Sequence, residues 1–151
     1  MKRGYLKLGF ADDGDGTGEL FAEAATQRYS GAASAYFNMD DIEEFAKSIS
    51  QYPLPQRSRC TLVSGFGSLS PGALHQEHLG IEVYPVDSRG HIGVQVRMAT
   101  PVWTEQRSDS QRTARLELLT TYEPLRRFAS DLLAVVKGAA EEAVLEEEVV
   151  P

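Results

Sequence analysis

A stretch of acidic residues and glycines near the start of the chain has part of the spacing of a calcium-binding loop. Asp13, Asp15, Thr17 and Gly18 match the opening positions of an EF-hand loop. The twelfth position of such a loop must be a bidentate glutamate, and Ala24 stands there. Both flanks alternate like strands, whereas an EF-hand loop joins two helices. The stretch therefore predicts a hairpin turn with solvated carboxylates.

A second stretch, His75-Gln76-Glu77-His78, contains two imidazoles and a carboxylate, which are common zinc ligands. Its spacing is neither His-Glu-x-x-His nor another defined ligand motif. It also follows a segment rich in glycine, serine and proline, which would not hold ligands rigidly. We expect surface histidines here, and His91 has no partner at the sequence level.

Motifs for nucleophilic catalysis and for phosphate binding are missing from the sequence. The glycines around Phe66 and those between Gly14 and Gly18 lack both the third glycine of a dinucleotide-binding fingerprint and the lysine of a P-loop. There is no Gly-x-Ser-x-Gly elbow either. The sequence thus predicts no catalytic residue, no cofactor and no metal.

Length and charge restrict the class of protein. The 151 residues fit one domain, residues 1–151, and the formal net charge of -7 argues against a nucleic-acid-binding surface, which would be basic. Cys60 is the single cysteine, so no internal disulfide can form. No window resembles a membrane span, and the apolar run near the start is interrupted by Lys7. These features predict a cytoplasmic protein without a membrane partner.

Residues 112–137 have the clearest pattern, a strand followed directly by a helix. Period-two alternation around Leu116 precedes an apolar stripe at helical spacing, and residues 31–50 repeat this design. Further strands are predicted at residues 5–10, 19–26, 61–63, 79–84 and 91–100. Residues 64–76 are predicted as a flexible loop. In the acidic tail, residues 139–151, the apolar centre could form an edge strand or extend the helix.

The two halves of the chain look like copies of one unit, residues 4–52 and 77–138. The residues that match at an offset of 83 are Asn38, Ile42, Phe45, Ala46 and Ile49 with Thr121, Leu125, Phe128, Ala129 and Leu132. Duplication would produce this pattern, and so would a shared need for a strand pair followed by an amphipathic helix.

The predicted fold is α+β, with a largely antiparallel sheet of about six to eight strands. Two β-β-α units would place both principal helices on one face of a common sheet. The opposite face would present Gln95, Arg97, Arg115 and Glu117 to water. The predicted core residues are Phe45, Val94, Val96, Leu116, Leu125, Phe128 and Leu132.

Acidic residues and one tryptophan are the candidates for a partner-binding surface. Asp40, Asp41, Glu43 and Glu44 lie at a helix start, where Asn38 is the predicted N-cap. They could steer a basic protein, or they could only solvate the surface and favour the helix dipole. Trp103, at the end of a strand, could anchor a partner or cover the end of the core.

Three fragments together resemble a known family. They are Ala35-Tyr-Phe-Asn-Met-Asp-Asp-Ile-Glu-Glu-Phe-Ala46, Glu77-His-Leu-Gly-Ile-Glu82 and Val94-Gln-Val-Arg-Met-Ala-Thr-Pro-Val-Trp103. The chain is similar to the small cytoplasmic immunity proteins of bacterial wall-associated, contact-dependent toxins. The resemblance implies a non-enzymatic protein that binds a toxin, with no functional residue that can be transferred. The alternative is a ligand-binding or enzymatic domain with a pocket between sheet and helices, gated by the loop near His75, His78 and His91.

Overall fold

The computed structural model describes residues 3–67 and 74–148, and this part of the chain forms eight strands and two α-helices. The strands are β1 (Tyr5–Asp12), β2 (Thr17–Ala25), β3 (Ser30–Asn38), β4 (Cys60–Gly67), β5 (Leu74–Pro85), β6 (Ile92–Ala99), β7 (Thr113–Thr120) and β8 (Ala143–Glu146). The helices are α1 (Met39–Ile49) and α2 (Tyr122–Val136), with a short 3₁₀ turn at Ser108–Ser110. Neither α-helix is long and apolar enough to cross a membrane.

The strands form two four-stranded antiparallel sheets, so the α+β class is confirmed. The first sheet has the order β3-β2-β1-β8 and the second has the order β4-β5-β6-β7. The prediction of one common sheet is wrong, because β4 does not extend the sheet that contains β3. It pairs with β5 and so belongs to a second sheet. The two helices pack on each other, α1 also on β3 and β4, and α2 also on β1 and β8.

The two halves of the chain have the same order of elements. Each half has three antiparallel strands, a helix and a fourth strand that pairs with the first strand of the other half. Thus β4 pairs with β5, and β8 pairs with β1. We call this arrangement the strand exchange. The duplication of one ancestral unit stays a prediction.

One apolar core lies between the sheets and the helices. All seven predicted core residues are buried: Phe45, Val94, Val96, Leu116, Leu125, Phe128 and Leu132. The helices begin after Asn38 and Thr121, as the pattern predicts, but neither side chain forms a capping hydrogen bond. Asn38 instead directs its Nδ2 towards Asp41 Oδ2 at 3.5 Å.

Small side chains on β3 let the two sheets approach closely. A Cβ added to Gly31 would lie 2.9 Å from the Cβ of Ala114 and 3.1 Å from Cε of Met98, both on the second sheet. Contacts under 3.0 Å between such atoms essentially do not occur, so any larger residue would push the sheets apart.

Residues 64–67 and 74–76, which are predicted to lie in a flexible loop, belong to strands in the structure. Strand β4 continues to Gly67 and β5 begins at Leu74, because the two strands stay paired through irregularities beside Ser64 and Phe66. Gly65 makes this possible, since a Cβ there would lie 1.9 Å from the carbonyl oxygen of Gln76. The rest of the loop, residues 68–73, lies outside the described residues.

The acidic tail returns as a strand and does not extend the helix. Strand β8 lies at the edge of the first sheet beside β1. Beyond it, the amide of Glu147 donates to the carbonyl of Gly4 at 2.8 Å, and the amide of Glu148 donates to the carbonyl of Leu119 at 2.9 Å. The tail therefore joins the first sheet to β7 of the second. Residues 149–151 lie outside the described residues.

Truncating Phe128 to alanine should lower the free energy of unfolding by about 3–5 kcal/mol, because the ring is buried and the core cannot collapse fully around the cavity. Chemical denaturation measures the change. Tyr29→Ala is the control, since that ring is largely exposed and its loss should cost less than about 1 kcal/mol. Equal losses for the two variants would contradict the described core.

Candidate functional site

The β1–β2 turn and the start of α1 meet at one end of the molecule. The amide of Met39, the first residue of α1, donates to the carbonyl of Gly16 in the turn at 2.9 Å. Gly14 and Gly16 have φ values of 83° and 90°, which favour glycine, so the turn depends on both. The stretch that resembles a calcium loop is thus a hairpin turn, as expected from its flanks.

The contact between the turn and the helix brings two groups of carboxylates to the same end of the molecule. We call these carboxylates the acidic end. The turn contributes Asp12, Asp13 and Asp15, and the helix contributes Asp40, Asp41, Glu43 and Glu44. All are exposed except Glu43, which is half-buried. Within residues 3–67 and 74–148, none of them forms an ion pair. The acidic end therefore presents uncompensated negative charge to solvent.

Local hydrogen bonds hold the turn carboxylates in place. Asp12 Oδ1 accepts from the amide of Gly14 at 2.7 Å. Asp15 Oδ1 accepts from the hydroxyl and the amide of Thr17, at 2.7 and 3.0 Å. These two bonds, the hydroxyl first, keep the pKa of Asp15 below its ordinary value. No group of three His, Cys, Asp or Glu side chains in the described residues is arranged to hold a metal ion.

Strand β4 leads from the acidic end to Trp103. Val63 and Ser64 line a cleft beside Asp41, and the Ser64 hydroxyl donates to the carbonyl of Tyr36 at 2.5 Å. Phe66 follows two residues further along the strand, about 7 Å on. The Phe66 and Trp103 ring centroids lie 4.7 Å apart. Strand β4 therefore connects Asp41 to Trp103, two of the residues predicted from the sequence.

Trp103 is 58% exposed, so most of its ring does not cover the core. Phe66 supports it from one side, and His78 packs edge-on against Phe66 with centroids 4.4 Å apart. Aromatic pairs at such distances are favourable beyond the area they bury. Tryptophan is enriched among the residues that contribute most to binding at protein interfaces, and an exposed indole held on one side is available for such a contact.

Gln76 fixes the segment that carries Trp103. Its Nε2 donates to the carbonyl of Val102 at 3.1 Å, and its Oε1 accepts from the amide of Val102 at 2.9 Å. The same Oε1 lies 2.5 Å from Nε2 of His78, which must then carry the proton in the neutral ring. This role was not predictable from local sequence patterns, because Val102 is distant from Gln76 along the chain.

The predicted histidine stretch does not form a site, and one of its members is buried. His78 is 3% exposed, contrary to the expected surface position, and burial lowers its pKa. His75 is exposed, and His91 pairs with Asp87 in the β5–β6 turn. Glu77 binds Arg97 across the strands. The three histidines therefore do not surround a common pocket.

The outer face of the second sheet carries paired charges. Of the four residues expected to face water, Arg115 and Glu117 are exposed, whereas Gln95 and Arg97 are half-buried. Arg97 contacts both Glu77 and Glu82. Tyr84 lies over Gly93, where a Cβ would come within 2.5 Å of its ring, and its hydroxyl donates to Glu117. Burial first, and then this hydrogen bond, raise the pKa of Tyr84 to about 12.

Comparison with family models, with curated proteins and with solved structures found no match to this chain.

Replacing Gln76 with leucine should loosen the Trp103 segment. The change removes both bonds to Val102, so the indole should become more accessible to acrylamide and its fluorescence anisotropy should fall. The free energy of unfolding should fall by about 1–3 kcal/mol. Trp103 is the only tryptophan, so the signal needs no label. Gln56→Leu, at an exposed position, is the control, and identical quenching in both variants would exclude this role for Gln76.

The Tyr84 hydroxyl should ionise at about pH 12, above the ordinary value of 10.0. Because the folded-state pKa is raised, the stability from this group is complete below pH 10.0 and is lost as the pH rises through about 12. Ultraviolet titration of tyrosinate, compared with Tyr84→Phe, assigns the transition. Glu117→Gln should lower the pKa and Glu105→Gln should not. An ordinary tyrosine pKa in the wild type would refute the described contact.

Proposed function

We propose that the chain is a non-enzymatic, cytoplasmic protein-binding domain that engages a basic protein through the acidic end and Trp103. One observation supports this most directly: the carboxylates of the acidic end have no ion-pair partner in the described part of the chain. A partner's lysines and arginines could bind them without first breaking an internal pair. By contrast, Glu77 and Glu82 on the second sheet are already paired with Arg97.

The acidic end and Trp103 would contribute to binding in different ways. Exposed charges act over about 8–10 Å at physiological salt, and they mainly raise the rate of association with a partner of opposite charge. A half-exposed tryptophan on a fixed support supplies the short-range contact that slows dissociation. The cleft between Asp41 and Ser64 lies between these parts, on the strand that joins them.

The partner that fits best is a basic bacterial toxin, and the chain would then serve as its immunity protein. Enzymes that cleave nucleic acids need a positively charged surface for the phosphates. An acidic protein that covers this surface would block the substrate. The resemblance of the three sequence fragments to immunity proteins of wall-associated toxins points to the same partner class.

Co-expression with the partner tests the proposal. A toxin-like reading frame encoded next to this chain should stop growth when expressed alone, and the wild-type chain should restore growth. Asp40→Lys/Asp41→Lys should weaken toxin binding about 10–100-fold and reduce rescue, because reversing two charges turns attraction into repulsion. Isothermal titration at two salt concentrations should show weaker binding of the wild type at higher salt.

Asp131→Lys/Glu146→Lys is the matched control, since it makes the same charge change at exposed positions away from both the acidic end and Trp103. It should bind and rescue like the wild type. If both double variants lose binding equally, net charge alone is responsible and the acidic end is not the interface. If the wild type neither binds nor rescues, the toxin proposal fails.

A further inference from the structure

A groove of about 560 Å³ opens on the outer face of the first sheet, away from the core side. This volume lies within the range of about 300–1,000 Å³ typical of small-molecule sites. The α2–β8 connection forms one wall with Glu141 and Glu142, and the end of β6 forms another with Thr100 and Pro101. The predicted pocket between sheet and helices is a different place, and side chains of the core occupy it.

Two cross-strand rows form the floor of this groove. In one row, Phe21 pairs with Gly9 on one side and with Ser34 on the other. Neither neighbour is large enough to cover the ring, so Phe21 is 46% exposed. In the second row, Glu23 lies opposite Lys7 and Ala32 in the strand register, and its carboxylate accepts a hydrogen bond from the Tyr5 hydroxyl. The floor is thus an aromatic ring and small apolar surfaces, bordered by charges.

The charges around the groove are mostly negative. Glu23, Glu141 and Glu142 are exposed carboxylates, against the single ammonium of Lys7. Lys7 Nζ lies 3.9 Å from Glu142 Oε2 and 6.0 Å from the centre of the Tyr5 ring. The protein's own ammonium thus already rests between a carboxylate and an aromatic ring, which is the environment that organic cations prefer. Glu141 forms no ion pair in the described part of the chain.

We propose that this groove binds a small organic cation with an apolar body, of the alkylammonium class. The apolar part would cover Phe21 and the surface beside Ala32, and the ammonium would lie near Glu23 and Glu141. An anion of the same shape would meet these carboxylates and be rejected. This site is independent of the acidic end and of the proposed protein partner.

Three probes with alkyl tails of similar length test the charge requirement: octylammonium, octan-1-ol and octanoate. Each is titrated into the full-length ¹⁵N-labelled protein at concentrations below those at which the probe forms micelles. Octylammonium should shift the amide signals of Gly9, Phe21, Ala32 and Thr100 saturably. Octan-1-ol should bind about five-fold more weakly or worse, because it lacks the charge, and octanoate should not bind. Higher salt should weaken only the octylammonium response.

Variants of the protein distinguish binding in the groove from a general effect of the protein's net charge. Glu23→Gln/Glu141→Gln should weaken octylammonium binding about 5–10-fold, whereas Glu44→Gln/Glu105→Gln, with the same charge change elsewhere, should leave it within about two-fold. Ala32→Trp, at an exposed position, should fill the groove and abolish binding. If Ala32→Trp misfolds, the comparison of the two glutamine double variants still tests whether binding occurs in the groove. Absent or unsaturable shifts, equal binding of the three probes, or equal effects of the two glutamine pairs would overturn the proposal.

Discussion

The strand exchange is the interaction on which the rest of this structure depends. Strand β4 leaves the first half to pair with β5, and β8 leaves the second half to pair with β1. Both surfaces discussed above follow from it. Because β4 passes the start of α1 before it reaches Phe66, the acidic end and Trp103 share one support. Because the chain must cross from α2 to the edge of the first sheet, Glu141 and Glu142 come to lie beside Gly9.

The carboxylates of this protein fall into two groups with different physical roles. Glu77 and Glu82 pair with Arg97 on the outer face of the second sheet, and removing Arg97 would leave these half-buried charges unmatched. The carboxylates of the acidic end are solvated, so they stabilise the fold little and remain available to other molecules. Whether a carboxylate already has an ion-pair partner therefore indicates more about its availability for binding than the net charge of the protein does.

The helices and the core were predictable because their signal is local. The apolar stripe through Leu125, Phe128 and Leu132 has the period of a helix, and alternation around Val94 has the period of a strand. The division into two sheets was not predictable, since the partner of β4 depends on residues far along the chain. The same reason hid the roles of Gln76 and the burial of His78, which come from contacts with Val102 and Phe66. The acidic residues of α1 were identified from the sequence, but their meeting with Asp13 and Asp15 requires the fold.

The strand exchange also affects how the protein can fold while the ribosome is synthesising it. The β1 strand emerges from the ribosome well before its edge partner β8, because the other strands and both helices lie between them in the chain. Until then the first sheet lacks one strand, and the apolar side of Leu6 and Leu8 lacks part of its cover. The three-stranded parts of both sheets consist of local pairings, whereas the β1–β8 pair joins distant parts of the chain, and such distant contacts form more slowly. A premature stop before β8 would leave an open strand edge, and such a fragment would be a substrate for chaperones and proteases.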